Sequence, residues 1–219
     1  MAKQRSYNLL CPIARGLDAV GDRWSLLILR DLHAGPARFG DLQTGLRGIA
    51  SNLLADRLVH LREEGLIKKI EEDNGTTSYH LTQVGQETRH LLFELARFGG
   101  RLSPVSKPKK PGNLRTIAVT LSAALDRVID SDLRAEAQLS VEGETYAVSI
   151  SGGRAQVRQG DNPDAVLFLT TSYHALLQVA SGNMSFDDFA SGHADIEAPN
   201  QAMQTVFMAR IEAAMAQMQ

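Results

Sequence analysis

Ser51, Asn52, Asp56, Arg57 and His60 lie off the apolar stripe of one short helical stretch, and Lys68 and Lys69 follow at the base of a hairpin. Hydroxyl, amide, carboxylate, guanidinium and imidazole groups on one helix can read base edges in a major groove, while lysines neutralise phosphate. These types and spacings point to recognition of double-stranded DNA. Catalytic chemistry has little support. The sequence contains no HExxH, CxxC, Walker loop or GxSxG. Its histidines, His33, His60, His80, His90, His174 and His193, show no metal-ligand spacing with carboxylates. His193 and Asp195 share a strand face, and Asp187-Asp188 reads as charge at a helix start. Both pairs read as solvated polar residues. The expectation is a protein without a catalytic site, cofactor or metal.

The elements that must position the polar set are legible in residues 38–81, RFGDLQTGLRGIASNLLADRLVHLREEGLIKKIEEDNGTTSYHL. Phe39, Leu42 and Leu46 recur at helical spacing, which predicts a short helix over 38–46. Gly45 and Gly48 bracket a tight connection. Ser51 is placed to cap the next helix, whose apolar face is Leu54, Leu58 and Leu61. Gly65 follows as its C-cap. LIKKI and TTSYHL then flank Asp73-Asn74-Gly75, a hairpin turn signal. Helix, turn, helix and hairpin in this order define a winged helix-turn-helix, which lays its second helix in the major groove. Glu71, Glu72 and Asp73 on the wing oppose phosphate contact at its tip.

Several ordered landmarks sharpen this reading. They are Cys11-Pro12, VGDRWSLLILRDL at 20–32, ARFGDLQTGLRGI at 37–49, LLADRLVHLREEGLI at 53–67 and SYHLTQVGQ at 78–86. On these, residues 7–102 resemble the HxlR family of bacterial winged-helix regulators, within the MarR-like group. The resemblance implies a homodimer that represses or activates promoters and reads a palindromic operator. It matches Ser51, Asn52, Asp56 and Arg57 to recognition-helix positions. The sequence departs from the family at Ala55 and Val59, and its wing lacks the proline frequent before the second strand.

The 219 residues are long enough for two modest cores. Hydrophobic content of 43% and charged content of 22% are ordinary for globular domains. No apolar run is long enough to span a bilayer, and the N-terminus lacks a signal-peptide core. A single cysteine suits a reducing, cytoplasmic setting. For that Cys11, the apolar neighbours Leu9, Leu10, Pro12 and Ile13 favour a buried structural thiol over an oxidant sensor. The net charge of −2 hides an asymmetry. Residues 1–102 carry 14 basic and 12 acidic groups, residues 103–113 add three lysines, and residues 114–219 carry 6 basic against 13 acidic. An acidic second half is ill suited to phosphate. The stretch SPVSKPKKPGN at 103–113 reads as a semi-extended linker.

Before the linker, residues 12–20, 23–34 and 83–101 read as helices, with Trp24 as a core anchor. Leu91, Leu92, Leu95 and Phe98 give the third of these an apolar side suited to pairing with a second subunit. After the linker the pattern is α+β. Residues 114–130 read as a helix, with a strand left open. Four strands follow at AEAQLSV, TYAVSIS, RAQVRQG and AVLFLTT, then a helix over 172–181 capped by Ser172. MSFDDFASG, a short strand HADIEA and a Met-rich helix over 200–217 complete the order. With Asn162-Pro163-Asp164-Ala165, Ser181-Gly182-Asn183 and FASGHADIEA, this order resembles the sterol-carrier-protein type of domain over about 115–215. That resemblance implies an apolar tunnel for lipids or other hydrophobic molecules.

The candidate lining residues are Phe168, Leu176, Leu177, Met184, Phe186, Phe189, Met203 and Phe207. The expected architecture is thus α+β: an N-terminal winged helix-turn-helix at 1–102, a Pro/Lys linker at 103–113 and a sterol-carrier-like domain at 114–219. The expected function is a homodimeric transcriptional regulator that binds operator DNA and answers to a hydrophobic small molecule, with no membrane partner. The alternative is a lipid carrier whose winged helix serves dimerisation or protein contacts.

Overall fold

The structure is a computed structural model that describes residues 6–71, 75–102 and 113–219. The chain divides into two compact units, Met1–Thr88 and Arg89–Gln219. The linker expected over 103–113 lies outside the described residues except for Asn113, as do Asp73 and Asn74 of the expected hairpin turn.

The first unit holds α1 (Pro12–Val20), α2 (Ser25–His33), α3 (Phe39–Gly45), α4 (Ser51–Glu63), β1 (Ile67–Glu71), β2 (Thr77–Leu81) and the start of α5 (Gln83–Gly100). Apolar residues three and four apart put one face of each helix inward. Ile28, Leu29, Leu42, Leu54, Leu58, Leu61 and Ile67 meet in a core that is sealed from solvent. β1 and β2 pair antiparallel from Ile67 opposite Leu81 to Glu71 opposite Thr77. Ala37 forms an isolated bridge to β2, exchanging both backbone hydrogen bonds with Tyr79. Asp22 accepts from the backbone N–H groups of Trp24 and Ser25, fixing the start of α2.

Three local expectations change here. Ser51 is the first helical residue rather than the cap, which is Ala50. The Ser51 hydroxyl instead accepts a hydrogen bond from Gln43 Nε2 in α3. Trp24 is half-buried, with the Arg23 guanidinium 5.5 Å from its ring centroid, so it borders the core instead of anchoring it. Cys11 is exposed, because Leu9, Leu10 and Ile13 around it face outward too.

The turn from wing to α5 is tightly built. Thr82 Oγ1 donates to the Gly65 carbonyl and accepts from the Gly85 N–H. A Cβ at Gly85 would stand 2.0 Å from the Leu66 carbonyl oxygen. Backbone cannot yield as a flexible side chain can, so Gly85→Ala should destabilise the unit by about 2 kcal/mol or more. A thermal melt of that variant checks this, and an unchanged midpoint would show that α5 can shift freely against β1.

The second unit begins within α5, because from Arg89 onward the helix buries Leu92 and Phe93. It continues with α6 (Thr116–Leu125), β3 (Ala135–Val141), β4 (Glu144–Ser151), β5 (Arg154–Gln159), β6 (Leu167–Thr171), α7 (Tyr173–Ala180), α8 (Phe186–Gly192), β7 (Ala194–Glu197) and α9 (Gln201–Ala216). The strands form one sheet in the order β5-β4-β3-β6-β7, with only β3 and β6 parallel. Of residues 114–130, α6 makes Thr116–Leu125 helical, and the alternative of a strand there falls away. Strand alternation sends Ala137, Leu139, Val141, Tyr146, Val148 and Ile150 into the core. The turns between strands occupy positive φ at Glu142-Gly143 and Gly152-Gly153, as their composition requires.

An exposed sheet edge would invite pairing with another chain, and α6 covers the β5 edge. Ser122 Oγ accepts from the Val157 N–H, and Asp126 accepts from the Ala155 N–H. Arg89 then donates to Asp126 Oδ2 at 2.8 Å and to the Ala155 carbonyl at 3.0 Å. Asn162 is buried beside the other face of this strand set, where its amide donates to Glu136 and to the Ala137 carbonyl. It is a structural cross-tie between strands. On α5, Arg127 reaches Glu94 Oε1 at 2.6 Å, and this guanidinium holds the Glu94 carboxyl below its ordinary pKa. A lowered folded-state pKa means the pair supports the fold at neutral pH and stops doing so as pH falls through that lowered value. Glu94→Gln should therefore flatten the acid side of the stability–pH curve while leaving its shape above pH 7 unchanged.

Candidate nucleic-acid interface and ligand cavity

The apolar stripe of α4 is turned into the first unit's core, and this leaves its N-terminal polar side outward. Ser51, Asn52, Ala55 and Asp56 are all exposed. Lys68 and Lys69 on β1 are exposed as well, and Glu71 stands beside them. Consecutive strand residues point to opposite sides, so Lys68 and Lys69 stand on different faces of the wing.

The structure places two of the expected contact residues elsewhere. His60 is 7% exposed, and its Nε2 lies 3.0 Å from the Ala19 carbonyl, so it packs α4 against α1. Its position six residues after the first Leu of the stripe gave no warning, because the helix is buried on more than one side near its C-terminus. Arg57 is half-buried, with Nε 3.6 Å from Asp22 Oδ1. Asp22 also holds the start of α2, so Arg57 ties α4 to that corner in the unit as it stands.

In the second unit the described residues line an open cavity of about 640 Å³. It is bounded by Leu139 of β3, Ile117, Thr120, Leu121 and Ala124 of α6, Leu176 and Leu177 of α7, and Ala214 and Met215 of α9. Ala96, Arg97, Gly100 and Arg101 add a wall from α5 and the turn after it. Of the residues expected to line a tunnel, Leu176 and Leu177 do so. Phe189 and Phe207 are buried in the core without lining this cavity. Phe168 and Met203 face outward, and Met184 and Phe186 are half-buried, Phe186 against the Phe189 ring at 5.6 Å. The α6 and α5 walls were missed from sequence. The run AVTLSAAL, buried almost all round, was the signal for the first. Nothing local to Arg97 signalled the second.

Helix-turn-helix followed by a β-wing defines the class of the first unit. Residues 19–106 match the HxlR-like helix-turn-helix family. An HTH-type transcriptional regulator of Synechocystis sp. is 33% identical over 92 residues, 41% of this chain and 68% of that protein. An HTH-type transcriptional regulator of Mycobacterium tuberculosis is 36% identical over 101 residues, 45% of this chain. The chain spans 62% of the length of that mycobacterial relative. The crystal structure of PA1607 is 36% identical, with a TM-score of 0.42 over 48% of this chain and 75% of that one. The chain belongs to the HxlR-like helix-turn-helix family through this segment.

No helix among the described residues is long and apolar enough to cross a membrane. Among the same residues no group of three or more His, Cys, Asp or Glu side chains could hold a metal ion.

Proposed function

We propose that the protein is a transcriptional regulator that binds a palindromic operator as a homodimer and answers to a hydrophobic small molecule. The observation that carries the DNA-binding part is the exposed N-terminal face of α4, with exposed Lys68 and Lys69 on the wing of the same unit. Ser51, Asn52 and Asp56 supply the base contacts in this reading, and the two lysines supply phosphate contacts. Arg57 joins them only by leaving Asp22, and His60 has no part. The relatives' names, HTH-type transcriptional regulators, agree with this assignment.

The dimer reading rests on α5. Val84, Leu91, Leu95, Phe98 and Leu102 are each 45–60% exposed. Val84, Leu91, Leu95 and Phe98, seven, four and three residues apart, draw one stripe along α5, the pattern of a helix-pairing seam, and Leu102 follows just past its end. Leu92 and Phe93 on the opposite side are buried in the second unit, so the exposed stripe is surplus to the chain's own core. Leu9, Leu10, Ile13 and Leu17 on and before α1 are exposed too. A second copy is the partner that a two-fold operator requires.

The second unit is read as a sterol-carrier-like domain. Its cavity between one sheet and several helices supports this, as does its volume, within the ~300–1,000 Å³ of small-molecule sites. A ligand there changes DNA affinity only if it binds the DNA-competent and incompetent dimers unequally. Binding of the full chain to DNA from upstream of its own gene, against scrambled DNA at two salt concentrations, tests the main reading. Selective binding that weakens with salt is expected. Equal, feeble binding to both would favour the carrier reading instead.

A further inference from the structure

The outer side of α4 is not uniformly polar. Asn52, Ala55, Asp56 and Val59 stand three or four positions apart there and are all exposed, while Leu54, Leu58 and Leu61 on the opposite side are buried. Asn52 and Asp56 bring hydrogen-bonding groups to this face, and Ala55 and Val59 bring none. Val59 is 39% exposed. Arg57, the cation of this stretch, is half-buried against Asp22, so a bidentate arginine contact to guanine is not offered from this face as it stands.

Solvation does not account for a valine at this place. A β-branched side chain gives up χ1 freedom in a helix, and Lys, Glu or Arg would hold a solvated helical position at lower cost. The same stiffness has a use in recognition. The two Val59 methyls are held in one preferred rotamer, so covering them orders little that is not ordered already. The major groove presents one apolar group to such a surface, the 5-methyl of thymine. Cβ atoms four residues apart on a helix are about 5–6 Å from each other, between one and two base steps of ~3.4 Å.

We infer that Ala55 and Val59 are specificity-determining residues that read the 5-methyl groups of two thymines, within two base steps of each other, in each operator half-site. This rests on the reading of α4 as the recognition helix and names the class of sequence it takes. Asn52 and Asp56, in the row beside them, then face hydrogen-bonding edges, adenine N6 and N7 for the amide and cytosine N4 for the carboxylate.

The probe is the duplex that the full-length protein enriches from a random pool, resynthesised with deoxyuridine in place of one thymine at a time. Deoxyuridine pairs as thymine does and lacks only the methyl. At two thymines of each half-site the affinity should fall about fourfold per position, the worth of one buried methyl. Thymines elsewhere in the duplex should tolerate the exchange. Ala55→Ser with Val59→Ser should bind the thymine and deoxyuridine duplexes alike, with an unchanged thermal midpoint. Full sensitivity to the exchange in that variant would assign the methyl contacts to other residues and overturn the inference. Equal affinity of the wild type for the two duplexes, or the same loss at every thymine, would overturn it too. In each of these cases the enriched site leaves the DNA-binding reading in place. Enrichment of no duplex would overturn that reading and the inference together. The wild-type comparison needs no variant to fold.

Discussion

Replacing Asn52 and Asp56 together with alanine is expected to erase the preference for operator over scrambled DNA. Both side chains are exposed on the N-terminal half of α4, where recognition helices meet base edges. Each well-formed base contact is worth about 1–3 kcal/mol of discrimination, so two lost contacts amount to roughly 30-fold to 20,000-fold in selectivity. The fold should be indifferent, since neither side chain is part of the core around Leu54, Leu58 and Leu61. Unchanged thermal unfolding with lost selectivity is therefore the expected pair of results. The wing gives the contrasting case. Lys68→Ala with Lys69→Ala should weaken binding to every duplex alike and lower the salt slope by about two. Selectivity retained at full strength in the Asn52/Asp56 variant would move recognition off this face of α4.

The second large effect concerns assembly. Leu91→Gln with Leu95→Gln should convert the dimer to a monomer in sedimentation experiments. Each leucine is about half exposed in the single chain, so its replacement costs the chain's own fold little. In the dimer the two positions bury four leucines, each already half covered and so worth about 0.7–1.5 kcal/mol more when covered. The dimer dissociation constant should rise by ~1,000-fold or more. Operator affinity should fall with it, because a monomer engages one half-site. Neutral glutamine keeps the charge near DNA unchanged, so a loss of affinity reports the lost pairing. A variant that remains dimeric would place the two-fold contact on Leu9, Leu10, Ile13 and Leu17 alone.

What the sequence made legible follows its periodicities. The 3.6-residue spacing of Leu54, Leu58 and Leu61 located α4, and period-two alternation located the strands of the second unit. Turn residues with a demand for positive φ, such as Gly65, Gly143 and Gly152-Gly153, marked where elements stop. Partners distant in sequence left no such trace. His60 reads as a polar surface residue until Ala19, forty-one positions earlier, supplies its hydrogen bond. Arg57 stands beside Asp22, thirty-five positions earlier, a neighbour that the helical spacing does not show. For the same reason the expected tunnel residues are mostly aromatic and Met, with Leu176 and Leu177 of α7, while much of the cavity wall is the small and aliphatic side of α6. Small residues such as Ala124 leave space; the aromatic Phe189 and Phe207 fill it.

The boundary between units shows the limit of composition as a guide. Pro104, Pro108 and Pro111 mark a stretch unsuited to helix, and a boundary is naturally drawn there. The compact units divide within α5 instead, since Arg89, Leu92 and Phe93 already belong with α6 and β5. One helix thus carries the exposed stripe assigned to dimerisation and, at Ala96 and Gly100, part of the cavity wall. Ligand binding and subunit pairing share this element in the proposed account, which is where linkage between them would act.

Selection of binding sites by the full-length protein from a pool of random duplexes tests the central claim most directly. The account predicts enrichment of an inverted repeat whose half-site centres lie about one helical turn apart, ~10–10.5 base pairs or a multiple, with two chains bound per site. Enrichment of no sequence, or of a single asymmetric site bound by one chain, would contradict it.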